Sequence, residues 1–557
     1  MTAPTLALAC TAALAFAAGA PARAQAQDTL LIVNAKVWTG NPAQPEAEAI
    51  AITGGRFAAV GSTAELTARF AGAERLDLAG QFVTPGFIDT HVHFVEGGFR
   101  LASVQLRDAK TREEFVRRLA AFAATVPAGT WITGGDWDHT LWGGDLPRRD
   151  WIDAATPNHP VWINRLDGHM ALANTAALAA AGVAAAAADI AGGEILRNAD
   201  GSLTGLLKDN AMDLVAPSVP EASAAMNDRA LDAAMAYVAA QGVTTVHNMG
   251  SWSDLDVFTR AWRTSRLRTR IYAAVPLASW ARLRDVVASG AYGDGGRGDV
   301  WLRIGALKGF VDGSLGSHTA AFLAPFDDAP ADRGLFVTEP DVLYASIAGA
   351  DKADLHVAVH AIGDRANRTL LDIFARVAAE HGARDRRFRI EHAQHLAPDD
   401  IARFAALGVI PSMQPYHAID DGRWADTVIG AERSRTTYAF RSLLDAGAAL
   451  SFGSDWFVAP PTPLEGIYAA VTRRTLDAAH ADGWVPEEKI SVEEALRAYT
   501  AGGAFASFEE RDKGMIKTGM LADLVVIDRD LRTIAPETIR DATVVRTIVG
   551  GTTVYAR

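Results

Sequence analysis

Two histidines, His91 and His93, stand two residues apart at the end of the apolar run FIDTHVHF. Side chains two positions apart in a strand point to the same face, so both imidazoles can converge on one point. A pair of imidazoles at this spacing suits a borderline cation such as zinc. Taken alone, the spacing is equally consistent with two hydrogen-bonded structural histidines.

Four further residues with metal-ligand chemistry lie in or at the ends of other apolar runs. They are Lys308 in ALKGFVDG, His360 at the end of HVAVH, His392 at the end of RIEH, and Asp455 at the end of SFGSD. A barrel of parallel strands gathers its site residues from the ends of several strands. This distribution favours coordination over packing for the two histidines as well.

Lys308 lies inside a predicted strand, where an unpaired ammonium must either lose its proton or find a partner. A deprotonated lysine can react with carbon dioxide to form a carbamate, an anionic oxygen ligand that can bridge two metal ions. The alternative is an ion pair with a carboxylate such as Asp312, which would be favoured for an isolated lysine.

Eight strand-like runs alternate with Ala- and Leu-rich helical stretches between residues 83 and 510, which is typical of a parallel α/β architecture. The runs are VTPGFIDTHVHF, GVTTVHNMG, RTRIYAAVP, VWLRIGALKGFVDG, LHVAVHAIGD, RFRIEHAQH, GVIPSMQP and ALSFGSDW. We therefore predict a (β/α)8 TIM barrel whose site lies at the carboxyl ends of the strands. The segment is much longer than the roughly 250 residues of a typical barrel.

Most of the surplus is one insertion, residues 96–240, which follows the first run and is dense in Trp, Gly and Asp. Because it follows the carboxyl end of a strand, we predict a lid or substrate wall. Trp137, Trp142 and Trp162 predict an aromatic-lined pocket. The alternative is a subdomain that packs on the outside of the barrel.

Short alternating strands occur at both ends of the chain and predict one small β-sandwich, built from residues 27–82 and 511–557. Residues 1–26 are mostly small and apolar and end in an Ala-x-Ala pattern, so we predict a cleaved signal peptide and a periplasmic or secreted protein. The single cysteine, Cys10, lies in that segment, which excludes disulfides from the mature chain.

The overall composition excludes several classes of partner. The net charge is −13 and no basic run is present, so nucleic acid is not expected to bind. Beyond the N-terminal segment no apolar stretch is long enough to span a bilayer, so no membrane association is expected. A small-molecule substrate is the expected partner, and a homo-oligomer is possible.

Several motifs together resemble the amidohydrolase superfamily, and more closely its family 3, the branch that includes N-substituted formamide deformylases. They are FIDTHVHF, LKGFVDGSLGSHTA, HAIGDRAN, RIEHAQH and FGSDWFVAPPTPLEGI. NAKVWTG, GGRFAAVG and GMLADLVVID resemble that family's bipartite β-sandwich, and the block from LWGGDLPRRD to RLDGHMALAN resembles an insertion of this branch. The resemblance covers residues 28–557.

The resemblance implies a centre of two divalent metal ions, with zinc expected. The implied ligands are His91, His93 and Asp455 for the more buried ion, His360 and His392 for the second, and a bridging carbamate on Lys308. Such ions would activate water for attack on a carbonyl. Asp455 would take the proton from that water and pass it to the leaving nitrogen, as general base and then general acid.

His169, His318 and Trp137 are the expected substrate contacts, with a helix-capping or structural role as the alternative for His169. Seven other histidines are predicted to be surface or core residues: His139, His159, His356, His381, His395, His417 and His480. The sequence thus predicts a hydrolase of a non-peptide C–N bond in an N-acyl or N-formyl amide. One alternative is hydrolysis of an ester, lactone or cyclic amide at the same metal site. The other is a non-catalytic barrel that binds a small ligand.

Overall fold

The structure is a computed structural model that describes residues 29–188, 190–293 and 295–557. The predicted signal peptide, residues 1–26, lies outside these described residues. Within them, no helix combines the length and the apolar character that crossing a membrane requires.

Eight parallel strands form the central sheet, and they correspond one by one to the eight runs predicted from the sequence. In chain order they are Phe87–Val92, Val243–Met249, Arg270–Pro276, Leu302–Phe310, His356–Ala361, Arg389–His392, Ile410–Met413 and Ser451–Phe452. Each strand pairs with the next, and the eighth lies beside the first, so the sheet is a nearly closed barrel. The predicted α/β barrel is confirmed.

Helices cover the outer face of the barrel, so most of its strands are buried on both faces and read as apolar runs. The helices between consecutive strands are Ala224–Ala240, Trp252–Arg263, Trp280–Ala288, Pro340–Lys352, Asp364–His381, Pro398–Leu407 and Phe440–Asp445. The helices Phe94–Arg100, Pro415–Asp421, Ala425–Ile429, Ala431–Ser434, Pro463–Thr472 and Val492–Ala498 complete the connections. Side chains such as Val246, Phe258 and Leu307 join strands and helices in one core.

A six-stranded sheet, here called the insertion sheet, lies between the first and second barrel strands in chain order. Its strands are Val104–Gln105, Ile132–Trp137, Val161–Arg165, Met170–Ala173, Gly193–Arg197 and Leu203–Asp209, and its helices are Arg112–Ala123, Arg149–Ile152 and Thr175–Ala180. The helix Ala224–Ala240, predicted as part of the insertion, instead packs on helix Phe94–Arg100 and on the second barrel strand. The last part of the predicted insertion therefore belongs to the barrel.

Two further sheets are built from the two ends of the described chain, the first from N-terminal strands alone and the second from strands of both ends. One contains Leu30–Val33, Ala49–Thr53, Arg56–Gly61 and Glu74–Asp77, and the other contains Lys36–Trp38, Glu46–Ala47, Phe82–Pro85, Leu524–Ile527, Val544–Val549 and Thr552–Ala556. Helix Thr63–Arg69 packs on the first of these sheets, whereas helix Ala501–Phe505 lies against the first and eighth barrel strands. Ile32, Ile50, Val83 and Leu524 belong to one core shared by the two sheets. Pro85, which pairs with Leu524, lies two residues before Phe87, where the first barrel strand begins.

Candidate metal centre

The structure brings the six predicted ligands together at the carboxyl ends of five barrel strands. His91 Nε2 lies 3.2 Å from Lys308 Nζ and 3.4 Å from Asp455 Oδ1. His93 Nε2 lies 3.4 Å from the same carboxylate oxygen. The ring of His392 lies 4.9 Å from that of His91 and 4.6 Å from that of His360, measured between centroids. Residues far apart in the chain thus form one compact cluster.

Three of the histidines have one ring nitrogen held by a hydrogen-bond acceptor. The pairs are His91 Nδ1 with Glu391 Oε2 at 2.7 Å, His360 Nε2 with the Gly313 carbonyl at 2.9 Å, and His392 Nδ1 with Gln414 Oε1 at 2.8 Å. Because each partner is an acceptor, the hydrogen of a neutral ring sits on the held nitrogen and leaves a lone pair on the other one. This is the form in which imidazole binds a metal.

Burial and neighbouring charge set the ionisation of these groups. The pKa of His91, His360 and His392 lies well below its ordinary value because burial disfavours the imidazolium form. Burial alone would raise the pKa of Asp455, but His91 and His93 outweigh it and hold that pKa below its usual range. At neutral pH these three imidazoles are therefore neutral and the carboxylate is ionised, a donor set that suits a divalent metal ion.

Lys308 is only 5% exposed, and burial lowers its pKa to about 8. Among the described residues no carboxylate lies within 4.0 Å of its ammonium group, and its Nζ lies 4.5 Å from the centroid of the Phe310 ring. Asp312 is engaged elsewhere, since its carboxylate accepts hydrogen bonds from three backbone N–H groups. The ion pair between Lys308 and Asp312, the alternative left open by the sequence, is therefore absent.

The donor set fits a divalent metal. Asp455 Oδ1 is buried and makes no hydrogen bond to any described residue, although two histidine nitrogens lie nearby. Ligand atoms of His91, His93 and Asp455 lie within 4.8 Å of one another, and so do those of His392, His417 and Asp455. His417, predicted to be a surface or core residue, thus belongs to the site. The sequence did contain one indication of this role, because His417 lies just after the seventh predicted strand, at the end of the barrel where the other ligands lie.

His169 reaches the same cavity from the insertion sheet. Its ring lies 4.9 Å from that of His360, and its Nδ1 lies 2.6 Å from Asp209 Oδ1. Burial disfavours the charged ring, but Asp209 raises the pKa of His169 above its ordinary value. Asp209 has φ +45°, and its N–H donates to the His169 carbonyl at 3.0 Å. The sequence had no signal for Asp209, and His169 caps no helix.

The cavity wall away from the histidines is mainly polar. It includes Asp138, Arg165, Asp167, Asp420, Asp421 and Arg423, together with one tryptophan, Trp424. Trp137, predicted to contact substrate, has no exposed surface, and its Nε1 donates to the Ile163 carbonyl at 3.0 Å inside the insertion sheet. The prediction of an aromatic pocket from Trp137, Trp142 and Trp162 is therefore wrong. Trp137 and Trp162 fill the cores of the insertion sheet, and Trp142 packs against the core that contains Trp137.

Comparison with known proteins establishes the family. The profile described as the amidohydrolase family matches residues 74–555, which is most of the chain. This chain is a member of amidohydrolase family 3. The predicted resemblance is confirmed.

Relatives and solved structures match the amidohydrolase along nearly its full length. Protein LONG AFTER FAR-RED 3 of Arabidopsis thaliana is 41% identical over 542 residues, covering 94% of this chain and 91% of that protein. The N-substituted formamide deformylase of Arthrobacter pascens is 29% identical over 554 residues, covering 95% and 98%. An uncharacterized metal-dependent hydrolase from Pyrococcus furiosus has a TM-score of 0.71 at 28% identity, covering 91% and 100%. These findings support a hydrolase that uses divalent metal.

One further residue of the amidohydrolase departs from prediction. His318 does not line the cavity, since its Nε2 lies 3.0 Å from both carboxylate oxygens of Asp328 and its side chain is 30% exposed. Strict alternation along a strand would place Glu391 and His392 on opposite faces of the sheet. Both instead lie beside His91, because the backbone of His392 has φ +76° and breaks the alternation of the strand.

Proposed function

We propose that this amidohydrolase cleaves a non-peptide C–N bond in an N-acyl or N-formyl amide. The observation that carries the proposal is the Asp455 carboxylate, buried between His91 and His93 at the cavity, with one oxygen free of hydrogen bonds to described residues. A carboxylate in this position can accept a proton beside a bound carbonyl. The formamide deformylase among the relatives supports an amide rather than an ester as the substrate.

The proposed metal content is two divalent ions, with zinc favoured by the donor types. The residues that would hold them are His91, His93, Lys308 as a carbamate, His360, His392 and Asp455. When bound, such ions polarise a carbonyl and supply a nucleophilic water at neutral pH.

The proton transfers fall to the chain's own residues. Asp455 is ionised at neutral pH, so it begins as a base, accepts a proton from the attacking water and returns it to the leaving nitrogen. An amide needs this return because an amine departs poorly without a proton, whereas an ester needs it less. His169, held by Asp209, lies beside His360 and would contact the substrate at the cavity wall.

A matched pair of substrates tests the bond type. The zinc-loaded enzyme is assayed with N-formyl-2-phenylethylamine and with 2-phenylethyl formate, which differ only in the scissile atom. We expect a higher kcat/KM for the amide. Faster cleavage of the ester would favour the esterase alternative. If neither compound is cleaved, the metal-loaded protein is assayed with further amides, esters and lactones, and no turnover of any of them would favour the ligand-binding barrel.

A second arm of the experiment tests Asp455. We expect Asp455→Asn to lower kcat for the amide by about 10²- to 10⁴-fold. Asp445→Asn is the matched control, because its side chain is 67% exposed and pairs with Arg441 on a barrel helix. Full amide hydrolysis by Asp455→Asn would contradict the proposed function.

The cellular location is a separate proposal. We infer export to the periplasm or medium from residues 1–26, and N-terminal sequencing of the protein isolated from its native source tests it. A mature protein that still begins at residue 1 or 2 would contradict this inference.

A further inference from the structure

Asp455 lies in a short loop, residues 455–458, that follows the eighth barrel strand. That strand, Ser451–Phe452, contains only two residues, so few hydrogen bonds of the sheet hold the loop that follows it. On the barrel side the loop is tied to the first strand, since Asp455 N–H donates to the His91 carbonyl at 2.7 Å and His93 N–H donates to the Trp456 carbonyl at 2.5 Å. Asp455 itself has φ +61°, a conformation that a loop holds only when its surroundings enforce it.

The other side of the loop is held by a residue outside the barrel. Arg107, which follows the edge strand Val104–Gln105 of the insertion sheet, donates from Nη1 to the Val458 carbonyl and from Nη2 to the Phe457 carbonyl, each at 2.7 Å. Both amino groups of one planar guanidinium therefore donate hydrogen bonds to consecutive backbone carbonyls. Such a fork fixes orientation as well as distance.

One of the two aromatic rings within the loop, that of Phe457, is packed by the same connection. The Phe457 ring lies 4.3 Å from the Arg100 guanidinium carbon and 5.7 Å from the centroid of the His93 ring. Val458, at the end of the fork, lines the cavity. Both faces of the loop are thus held, one by the barrel and one by the connection that leads into the insertion sheet.

We propose that Arg107 is a positioning residue, which holds the loop 455–458 so that the Asp455 carboxylate stays in place at the cavity. This inference rests on the role of Asp455 in the proposed function. A misplacement of about 1 Å at a reacting group can cost about 10²-fold in rate. The connection to the insertion sheet would then hold the Asp455 loop of the barrel in place, and the insertion sheet would also form a wall of the cavity.

The test compares three variants of the zinc-loaded protein. Arg107→Met keeps the aliphatic stem without donors, and Arg107→Lys keeps the charge but offers a single ammonium instead of a fork. Arg117→Met is the matched control, because Arg117 belongs to the same part of the chain and its side chain is 71% exposed. The measurements are kcat, KM, bound metal, melting temperature and hydrogen exchange of a peptide that contains residues 455–462.

We expect Arg107→Met to lower kcat by about 10- to 100-fold, with KM within about twofold and bound metal unchanged. Arg107→Lys should recover part of the loss, and exchange should rise in the 455–462 peptide of the Arg107 variants alone. Unchanged kcat in Arg107→Met would overturn the inference, and so would a loss fully explained by metal release or global unfolding. If Asp455→Asn keeps full amide hydrolysis, the proposed function fails instead, whatever the Arg107 variants show.

Discussion

His91 Nδ1 lies 2.7 Å from Glu391 Oε2, and neither side chain has any exposed surface. Glu391 is in turn paired with Arg389, whose Nε lies 2.7 Å from Oε1, and Arg389 donates to the Thr90 carbonyl at 2.7 Å. A predicted metal ligand on the first strand is therefore oriented by a buried ion pair on the sixth, 300 positions later in the chain. Such partners fix the ring orientation of a metal-binding histidine.

Replacement of Glu391 by Gln should weaken metal binding. We expect about a 10- to 100-fold loss of metal affinity, because the ring of His91 loses its charged acceptor. The free energy of unfolding should also fall by about 3 kcal/mol, since Arg389 is left without its buried counter-charge. Metal titration and thermal unfolding measure the two effects.

The control for Glu391→Gln is another buried glutamate. Glu488 accepts a hydrogen bond from the Ser442 N–H at 3.0 Å on a barrel helix outside the cavity. Glu488→Gln should lower stability without lowering metal affinity. Equal metal affinity in the wild-type protein and in folded Glu391→Gln would show that Glu391 does not orient the ligand.

The pKa of Lys308 predicts a pH dependence for reactivation of the metal-free enzyme. Only a neutral amine reacts with carbon dioxide, and burial lowers the pKa of Lys308 to about 8. At fixed dissolved carbon dioxide and saturating zinc, the reactivation rate should rise with pH up to about 8 and then level off. A rate that climbs steadily toward pH 10 would indicate an ordinary exposed lysine, and reactivation of Lys308→Ala would exclude the carbamate.

The pair of His169 and Asp209 should matter for turnover, whereas His318 should not. Asp209→Ala removes the acceptor that holds His169 Nδ1, and we expect kcat/KM to fall by about 10- to 100-fold. His318→Ala is the natural comparison, because His318 is paired with Asp328 away from the cavity. A larger kinetic loss in His318→Ala than in Asp209→Ala would reverse this assignment.

Gly316 should control the shape of the polar cavity wall. A Cβ atom at this position would overlap the guanidinium of Arg165, which lines the cavity. We expect Gly316→Ala to raise KM several-fold by displacing that side chain. Gly72→Ala, at a position with nothing within 4 Å of a new Cβ, serves as control. Equal KM values in the two variants would contradict the placement of Arg165 at the substrate.

The barrel strands were predictable because burial on both faces leaves a local mark, an apolar run that ends in polar residues. Lys308, His360 and Asp455 stood out for the same reason, as polar or charged groups at places where a strand should be apolar or should end. Their order along the chain, together with the parallel topology, was enough to bring them to one end of the barrel.

The failures concern features that no local pattern encodes. A tryptophan such as Trp137 is a residue type often found in binding pockets, but strand pairing within the insertion sheet directs its side chain into the core. Strict alternation would separate Glu391 from His392, but the positive φ of His392 interrupts that alternation. His417 lies near Asp455, and Asp209 pairs with His169, only because other elements pack in a way that brings these segments together.

The sequence by itself determined the eight-stranded barrel, the family and the six residues at the strand ends, because hydrophobic periodicity and strand termini are properties of short segments. Only the tertiary structure decided what surrounds these residues. The buried pair behind His91, the Asp209 carboxylate at His169 and the Arg107 fork on the Asp455 loop each join segments far apart in the chain. Such contacts depend on the geometry of the folded chain, because a hydrogen bond forms only when the packing brings its donor and acceptor within reach of each other.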